Sequence, residues 1–328
     1  MDRADYWKVG LGVLGGLALF LLGVDLLARG MRAVAGDRLK RWLARATTNR
    51  VAGLATGTAA TAVLDSSSVA IVLVIALVDA GLLDAARALA VVLGANVGTT
   101  VSSQLLALDL ERWSPVLLAA GLATRLAGRT DRARDAGTAV LGLGLVLFGL
   151  LQLSAAVGPL EESERFAAWM QKLERPVLGV LAGAATTLVI QSSSATLGIA
   201  IALASQGLLS LPAGVAVMLG AEIGTCSDTL VATLGRSRAA VRVACFHLAF
   251  NVLSVCVGLA LVEPLTALAR ALGGDAARQL ANAHVAFNLA GALAALPLLG
   301  VAARALERLV PDRPTAPAFA RQPDAARA

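Results

Sequence analysis

The chain has 328 residues, of which 57% are hydrophobic and 15% charged, and its mean hydropathy is +0.75. A soluble core of this length cannot hide so much apolar surface, so the composition excludes an ordinary soluble protein and predicts a lipid bilayer as partner. The net charge of +6 comes from basic residues in short loops and in the tail. That pattern is typical of membrane topology and indicates no nucleic-acid partner.

Apolar runs near 20 residues, the length that spans the hydrocarbon layer, recur along the chain. They lack the period-2 alternation of barrel strands, so the predicted fold class is an all-α integral membrane protein. The runs lie at about 10–28, 87–107, 137–158, 212–234, 239–262 and 280–303, with a shorter one at 114–127.

The chain repeats itself at an offset of 126 residues. Residues 57–108 align with residues 183–234 without a gap, and about 20 of these 52 positions are identical. The serines at 66–68 fall on those at 192–194, and a Gly-Ala-x-x-Gly-Thr segment follows each run. We therefore predict one membrane repeat at 1–135, a second at 136–305 with an extra C-terminal helix, and a short cytoplasmic tail at 306–328 that is partly disordered.

Charge indicates that the two repeats have opposite orientations. The loop at 29–50 carries a net charge of +6, whereas glutamates outnumber basic residues in the equivalent loop at 159–176. Cytoplasmic loops collect Lys and Arg, so the first loop is predicted inside and the second outside. Inverted-topology repeats of this kind occur in many secondary transporters. We expect an external N-terminus and a cytoplasmic C-terminus in a multi-pass protein of the cell (inner) membrane.

Residues 51–83 and 177–209 are too polar at their centres to be simple spans. A re-entrant helix-break-helix hairpin fits each better, because non-helical backbone at membrane depth survives only where it lines a cavity or is covered by protein. A helix that restarts after a break offers free N–H groups to an oxyanion. Freed carbonyls with Gln, Ser and Thr oxygens suit a hard cation such as sodium.

The alternative is that these Ser, Thr and Gly residues only pack helices together. Recurrence of both motifs at one offset favours a ligand site instead. Acidic residues nearby are costly in a membrane, and they indicate function, with an internal salt bridge or a protonated, hydrogen-bonded acid as the alternative. These residues are Asp65, Glu222 and Asp228.

The motifs QSSSA at 191–195 and GANVGTT at 94–100, in a duplicated unit, resemble the sodium/phosphate cotransporter family over about residues 10–305. The resemblance implies a sodium-coupled symporter that imports inorganic phosphate by alternating access, with substrate and sodium between two serine-rich hairpin breaks. With the chemistry of the breaks, it gives as substrate-binding candidates Ser66, Ser67, Ser68, Ser192, Ser193, Ser194, Thr99 and Thr225. The sodium-binding candidates are Gln191, Ser192, Asn96, Thr99, Thr100, Asp65 and Glu222.

This chain departs from the family pattern at three positions. Asp65 stands where the family has Gln, and Glu222 and Cys226 stand where the second glycine segment normally has Asn and Thr. An added carboxylate repels phosphate unless sodium or a proton neutralises it. A sodium- or proton-coupled carrier of another oxyanion is therefore one alternative. A non-transporting membrane regulator of phosphate signalling, with a cytoplasmic regulatory protein as partner, is the other.

The two histidines do not indicate an enzyme, because neither has a nucleophile or metal-ligand constellation readable from the sequence. His247 and Asn251 lie four residues apart on one helical face, as do His284 and Asn288. We predict hydrogen bonds between helices for both pairs rather than direct ligation. The three cysteines have no metal-type spacing, so sodium as co-substrate is the one metal ion expected and no cofactor is predicted.

Overall fold

The computed structural model describes residues 3–108 and 110–312, so the predicted tail at 306–328 lies beyond the described residues from position 313 onward. Within the described part, the regular structure is entirely helical, which confirms the predicted all-α class. The first five helices are α1 (Arg3–Ala46), α2 (Arg50–Leu64), α3 (Ser67–Asp79), α4 (Ala85–Leu106) and α5 (Ser114–Ala127). The next five are α6 (Asp131–Val157), α7 (Glu164–Lys172), α8 (Pro176–Ile190), α9 (Ser193–Ser205) and α10 (Leu211–Gly224). The last five are α11 (Cys226–Val231), α12 (Arg238–Ala260), α13 (Val262–Ala271), α14 (Ala276–Ala295) and α15 (Leu299–Leu309).

Six helical segments in the described chain are long and apolar enough to cross a membrane, as expected of a multi-pass membrane protein. They match the six predicted runs and are Trp7–Gly36, Ala85–Leu106, Asp131–Leu160, Leu211–Val231, Arg238–Ala260 and Ala276–Leu309. The last segment changes to a short 3-10 turn over Leu296–Leu298, because Pro297 has no N–H for the helical ladder. The first has a kink at Gly36, where φ is 56°.

Helix boundaries recur at the offset seen in the sequence. Adding 126 to the bounds of α2 and α3 gives the bounds of α8 and α9 at both ends. The start of α4 maps in the same way onto the start of α10. The chain therefore places its two serine runs in the same local setting, between one short helix and the next.

Glycines at matched positions let the short helices lie directly against their neighbours. A Cβ added to Gly57 on α2 would lie 2.1 Å from Val91 O, and one on Gly94 would lie 2.0 Å from Leu54 O. The matched glycines of the second half, Gly183 and Gly220, would meet Val217 O and Val180 O, each at 2.0 Å. Small residues allow this backbone approach in the absence of a hydrophobic driving force between membrane helices. The packing fixes α2 on α4 and α8 on α10, and with them the breaks.

Candidate functional site

Each of the two short helices α2 and α8 ends in a left-handed residue. Asp65 has φ 52° and ψ 29°, and Gln191 has φ 58° and ψ 31°. Among the described residues, these two are the non-glycine positions with positive φ. The left-handed conformation costs a residue with a Cβ roughly 1–2 kcal/mol. Backbone strain of this kind collects at functional sites, where the surrounding structure enforces it.

The following helix restarts at once, with a serine as its N-cap. The Ser66 side chain accepts a hydrogen bond from Val69 N at 3.2 Å, and Ser192 accepts one from Ala195 N at the same distance. A helix leaves its first N–H groups without a partner inside the helix, and these groups carry the positive end of the helix dipole. Helices α3 and α9 therefore each direct an anion-binding end toward their serine run.

Both breaks line one cavity of about 310 Å³. Its wall joins the two serine runs to one face of α1 and to the junction of α10 and α11. The lining residues are Leu21, Val24, Asp25, Ala28, Arg32, Asp65, Ser66, Ser67, Ser68, Val69, Ile190, Gln191, Ser192, Ser193, Ser194 and Thr225. Seven of the eight predicted substrate residues are therefore brought together, and Thr99 is the exception.

The six serine hydroxyls divide by what they contact. Those of Ser66 and Ser192 cap helices, and Ser68 Oγ lies 3.2 Å from Thr225 Oγ1, which ties the first break to the second half. The hydroxyls of the other three, Ser67, Ser193 and Ser194, make no hydrogen bond to the described protein. These three hydroxyls are available to a ligand in the cavity.

Asp65 is held by a serine of the glycine-rich helix, because Ser102 Oγ donates a hydrogen bond to Asp65 Oδ1. The repeat offset carries Asp65 onto Gln191 and Ser102 onto Asp228. Each half thus has one carboxylate among these two positions. It lies on the break in the first half and on the glycine-rich segment in the second.

A second polar cluster lies next to the second break. Glu222 Oε1 accepts a hydrogen bond from Asn288 Nδ2 at 2.8 Å and lies 3.0 Å from His284 Nε2. The other ring nitrogen of His284 lies 2.9 Å from Ser103 Oγ on α4. These bonds join α4, α10 and α14 inside the protein and give the buried carboxylate the partners that it needs.

Helix α12 contributes to the same cluster. Asn251 Nδ2 donates to Glu222 O at 2.7 Å, Asn96 Nδ2 donates to Asn251 Oδ1 at 2.5 Å, and His247 Nδ1 lies 3.0 Å from Thr229 Oγ1. The predicted interhelical hydrogen bonds of both His and Asn pairs are therefore confirmed. One acceptor is left over, because Asn96 Oδ1 is buried without a hydrogen-bond partner in the described structure.

A small cavity of about 10 Å³, close to the size of one water molecule, connects the cluster with the second break. Its lining residues are Thr99, Ser103, Ser193, Ser194, Leu197, Met218, Ala221, Glu222 and His284. The predicted sodium residues fall into three groups accordingly. Asp65, Gln191 and Ser192 line the large cavity, Thr99 and Glu222 line the small one, and Asn96 and Thr100 line neither.

The sequence analysis missed the contribution of α1. Asp25 and Arg32 line the large cavity on the same face as Leu21 and Ala28, yet Arg32 entered the analysis only as a charge that marks a cytoplasmic loop. The available signal was the spacing of 21, 25, 28 and 32, which places these positions on one stripe of a helix.

The chain matches a family model described as Na+/Pi-cotransporter over residues 19–155 and 160–299. It is 31% identical over 298 residues to "Uncharacterized protein YqeW" of Bacillus subtilis, a match that covers 90% of the chain and 97% of YqeW. It is 30% identical over 305 residues to "Putative inorganic phosphate export protein YjbB" of Salmonella typhimurium, covering 93% of the chain and 56% of YjbB. A shorter match, 34% over 100 residues, covers 29% of the chain and 15% of "Sodium-dependent phosphate transport protein 2A" of Rattus norvegicus. No solved structure matches the chain.

Proposed function

The chain belongs to the Na+/Pi-cotransporter family, a family of transporters and not of enzymes, and we propose that it is a sodium-coupled symporter that imports inorganic phosphate across the cell (inner) membrane. The observation that carries this proposal is the convergence of two strained helix breaks on one cavity. Phosphate would lie between the N-termini of α3 and α9, with the free hydroxyls of Ser67, Ser193 and Ser194 as further donors. Such a site binds an oxyanion chiefly through neutral dipoles.

Sodium as the coupling ion is supported by the oxygen atoms around this site. Asp65 and Gln191 supply side-chain oxygens at the large cavity, and Thr99 and Glu222 supply oxygens at the small one. Asn96 Oδ1 is a buried acceptor that a cation or its water would satisfy. Oxygen ligands of this type suit a hard monovalent ion, and its charge would offset repulsion between Asp65 and phosphate. Each sodium ion entering supplies about 2.3 kcal/mol per 100 mV.

Inverted repeats with re-entrant hairpins are the topology that fits the proposal. The pairs α2–α3 and α8–α9 have bounds related by the repeat offset, and the loops that precede them carry opposite charge excess. In an inverted arrangement the first hairpin enters from inside and the second from outside, so their breaks meet near the midplane. Residues 29–50 were interpreted as a loop, but the structure has them as helix up to Ala46. This basic segment and the tail would be cytoplasmic and the N-terminus external.

Alternating access is supported by a second cavity of about 360 Å³ at the other end of α9. Ser205 and Gln206 line this cavity, whereas Ser193 and Ser194 line the first, and about 18 Å of helix separates the two ends. Phe20 is fully buried between them, and a Cβ on Gly198 would lie 2.7 Å from its Cζ. Movement of one repeat against the other would open this contact and close the first cavity.

Export is the second candidate direction, and the name of the YjbB relatives favours it, although the chain spans about half of their length. A carrier of another oxyanion and a non-transporting regulator are the remaining alternatives. Phosphate exchange tests the carrier against the regulator. Proteoliposomes loaded with unlabelled phosphate should take up labelled phosphate, and excess sulfate outside should not suppress it. Lack of exchange would favour the regulator, and suppression by sulfate would favour a broader oxyanion carrier.

A further inference from the structure

One face of α1 forms the wall of the phosphate cavity opposite the serine runs. Leu21, Val24, Asp25, Ala28 and Arg32 line the cavity from this helix. Charged and apolar residues alternate along this face, since Asp25 lies between Val24 and Ala28, and Arg32 is the lining residue nearest the kink at Gly36.

Arg32 is the one cationic side chain among the residues that line this cavity in the described structure. It is half-buried and makes no ion pair or hydrogen bond to the described residues. Asp25 already has a partner, because Arg29 Nη2 lies 2.5 Å from Asp25 Oδ2. The described structure therefore leaves the guanidinium of Arg32 without an ion-pair partner.

We propose that Arg32 binds the phosphate oxygens directly from the α1 wall of the cavity and sets the affinity and anion charge preference of the carrier. This inference rests on the proposed function and adds to it a residue outside both serine motifs. A guanidinium offers two parallel N–H donors that match two oxygens of one phosphate, and such charge-assisted bonds are stronger than neutral ones. The positive charge also opposes the repulsion that Asp65 exerts on an anion in the same cavity.

Arg32→Gln tests the proposal in purified protein reconstituted into liposomes. The KM for phosphate should rise about tenfold or more, the loss expected for one charge-assisted bond, while the maximal rate changes little. The KM of Arg32→Lys should lie between those of the parent and Arg32→Gln, because lysine keeps the charge and loses the paired donors. The matched control is Arg87→Gln, which removes an exposed charge on the same predicted side of the membrane and outside the cavity. An unchanged KM in Arg32→Gln would overturn the proposal.

A chemical test restores the charge without relying on the Arg32→Gln protein. Arg32→Cys is made with Cys245 and Cys256 replaced by serine, leaving Cys226, which is 1% exposed. A cationic trimethylammonium-ethyl thiol reagent should restore phosphate affinity, and an anionic sulfonatoethyl reagent should not. Phosphate should slow both reactions, and sodium chloride at equal ionic strength should not. Equal effects of the two reagents, or no protection by phosphate, would contradict a bound anion at this residue.

The two proposals fail in distinguishable ways. If the parent protein exchanges phosphate and Arg32→Gln matches it in KM, the role of Arg32 is wrong and the carrier function stands. If the parent exchanges no phosphate under any sodium gradient, the function itself is wrong and the role of Arg32 is rejected with it.

Discussion

Ser102 Oγ donates a hydrogen bond to Asp65 Oδ1, and the repeat carries this pair onto Gln191 and Asp228. The two halves therefore hold a carboxylate at opposite members of an equivalent pair. A carboxylate at membrane depth is costly unless it is paired, protonated or bound to a cation. We therefore expect Asp65 to take part in ion coupling, which leads to the first prediction.

Asp65→Gln should retain phosphate transport but lower its sodium dependence or flatten its response to pH, because the break loses a group that binds or replaces a cation. Adding Ser102→Asp should restore the parent response, since the double variant has the arrangement of the second half. Uptake is measured against sodium at fixed phosphate and at two pH values. Glu307→Gln, on the exposed surface of α15, is the control. If the sodium and pH dependence of uptake by Asp65→Gln match those of the parent, Asp65 acts only as a structural hydrogen-bond partner of Ser102.

Ser193→Ala should reduce phosphate transport by at least about tenfold, the loss of one hydrogen bond to a charged ligand. Its hydroxyl has no partner in the described protein, so thermal stability should stay within about 0.5 kcal/mol of the parent. The matched control is Ser210→Ala, which removes the N-cap of α10. That change should cost about 1 kcal/mol of stability and leave transport intact. A folded Ser193→Ala protein that transports at the parent rate would indicate that the serines only pack helices together.

Phe20→Val should let sodium leak without phosphate, because the buried ring lies between the two cavities at Gly198. Sodium flux into phosphate-free liposomes measures this leak. Leu22→Ala is the control, since Leu22 is on the same helix but 47% exposed. If a folded Phe20→Val protein shows no sodium flux without phosphate, another contact closes the passage between the two cavities.

Single cysteines should locate the two equivalent loops on opposite sides of the membrane. Thr48→Cys in the first loop and Gln171→Cys in the second are both at exposed positions, and both are built with Cys245 and Cys256 replaced. An impermeant thiol reagent added outside intact cells should label Gln171→Cys, while Thr48→Cys should react only after permeabilisation. Labelling of both from one side would contradict the inverted topology.

The helical class and the six long segments were predictable because apolar spans leave local signals in the sequence. Runs of apolar residues gave the six long segments to within a few residues at most ends, and α5 begins and ends at the predicted 114 and 127. The 3-10 turn at Pro297 was missed, since hydropathy alone does not register the loss of one N–H. Interruption of the 212–234 run at Thr225 was also missed.

The lining of the candidate cavity was predictable only where its residues lie within the recurring sequence motifs. The serine runs and Gln191 were identified from their recurrence, and the structure brings them to one cavity. Arg32 carries no such signal, because its role depends on how α1 packs against both halves. The partners of Glu222 were hidden for the same reason, since His284 and Asn288 are more than 60 residues away in sequence.

The most direct test of the account is phosphate uptake driven by sodium alone. Proteoliposomes with the parent protein and with Gln191→Ala are diluted into labelled phosphate with either sodium or potassium outside, at zero membrane potential. The parent should accumulate phosphate above its external concentration only with inward sodium, and the accumulation should collapse when a sodium ionophore is added. Gln191→Ala should accumulate none. Accumulation that is equal in sodium and potassium, or that persists in Gln191→Ala, would contradict sodium-coupled transport at the two breaks.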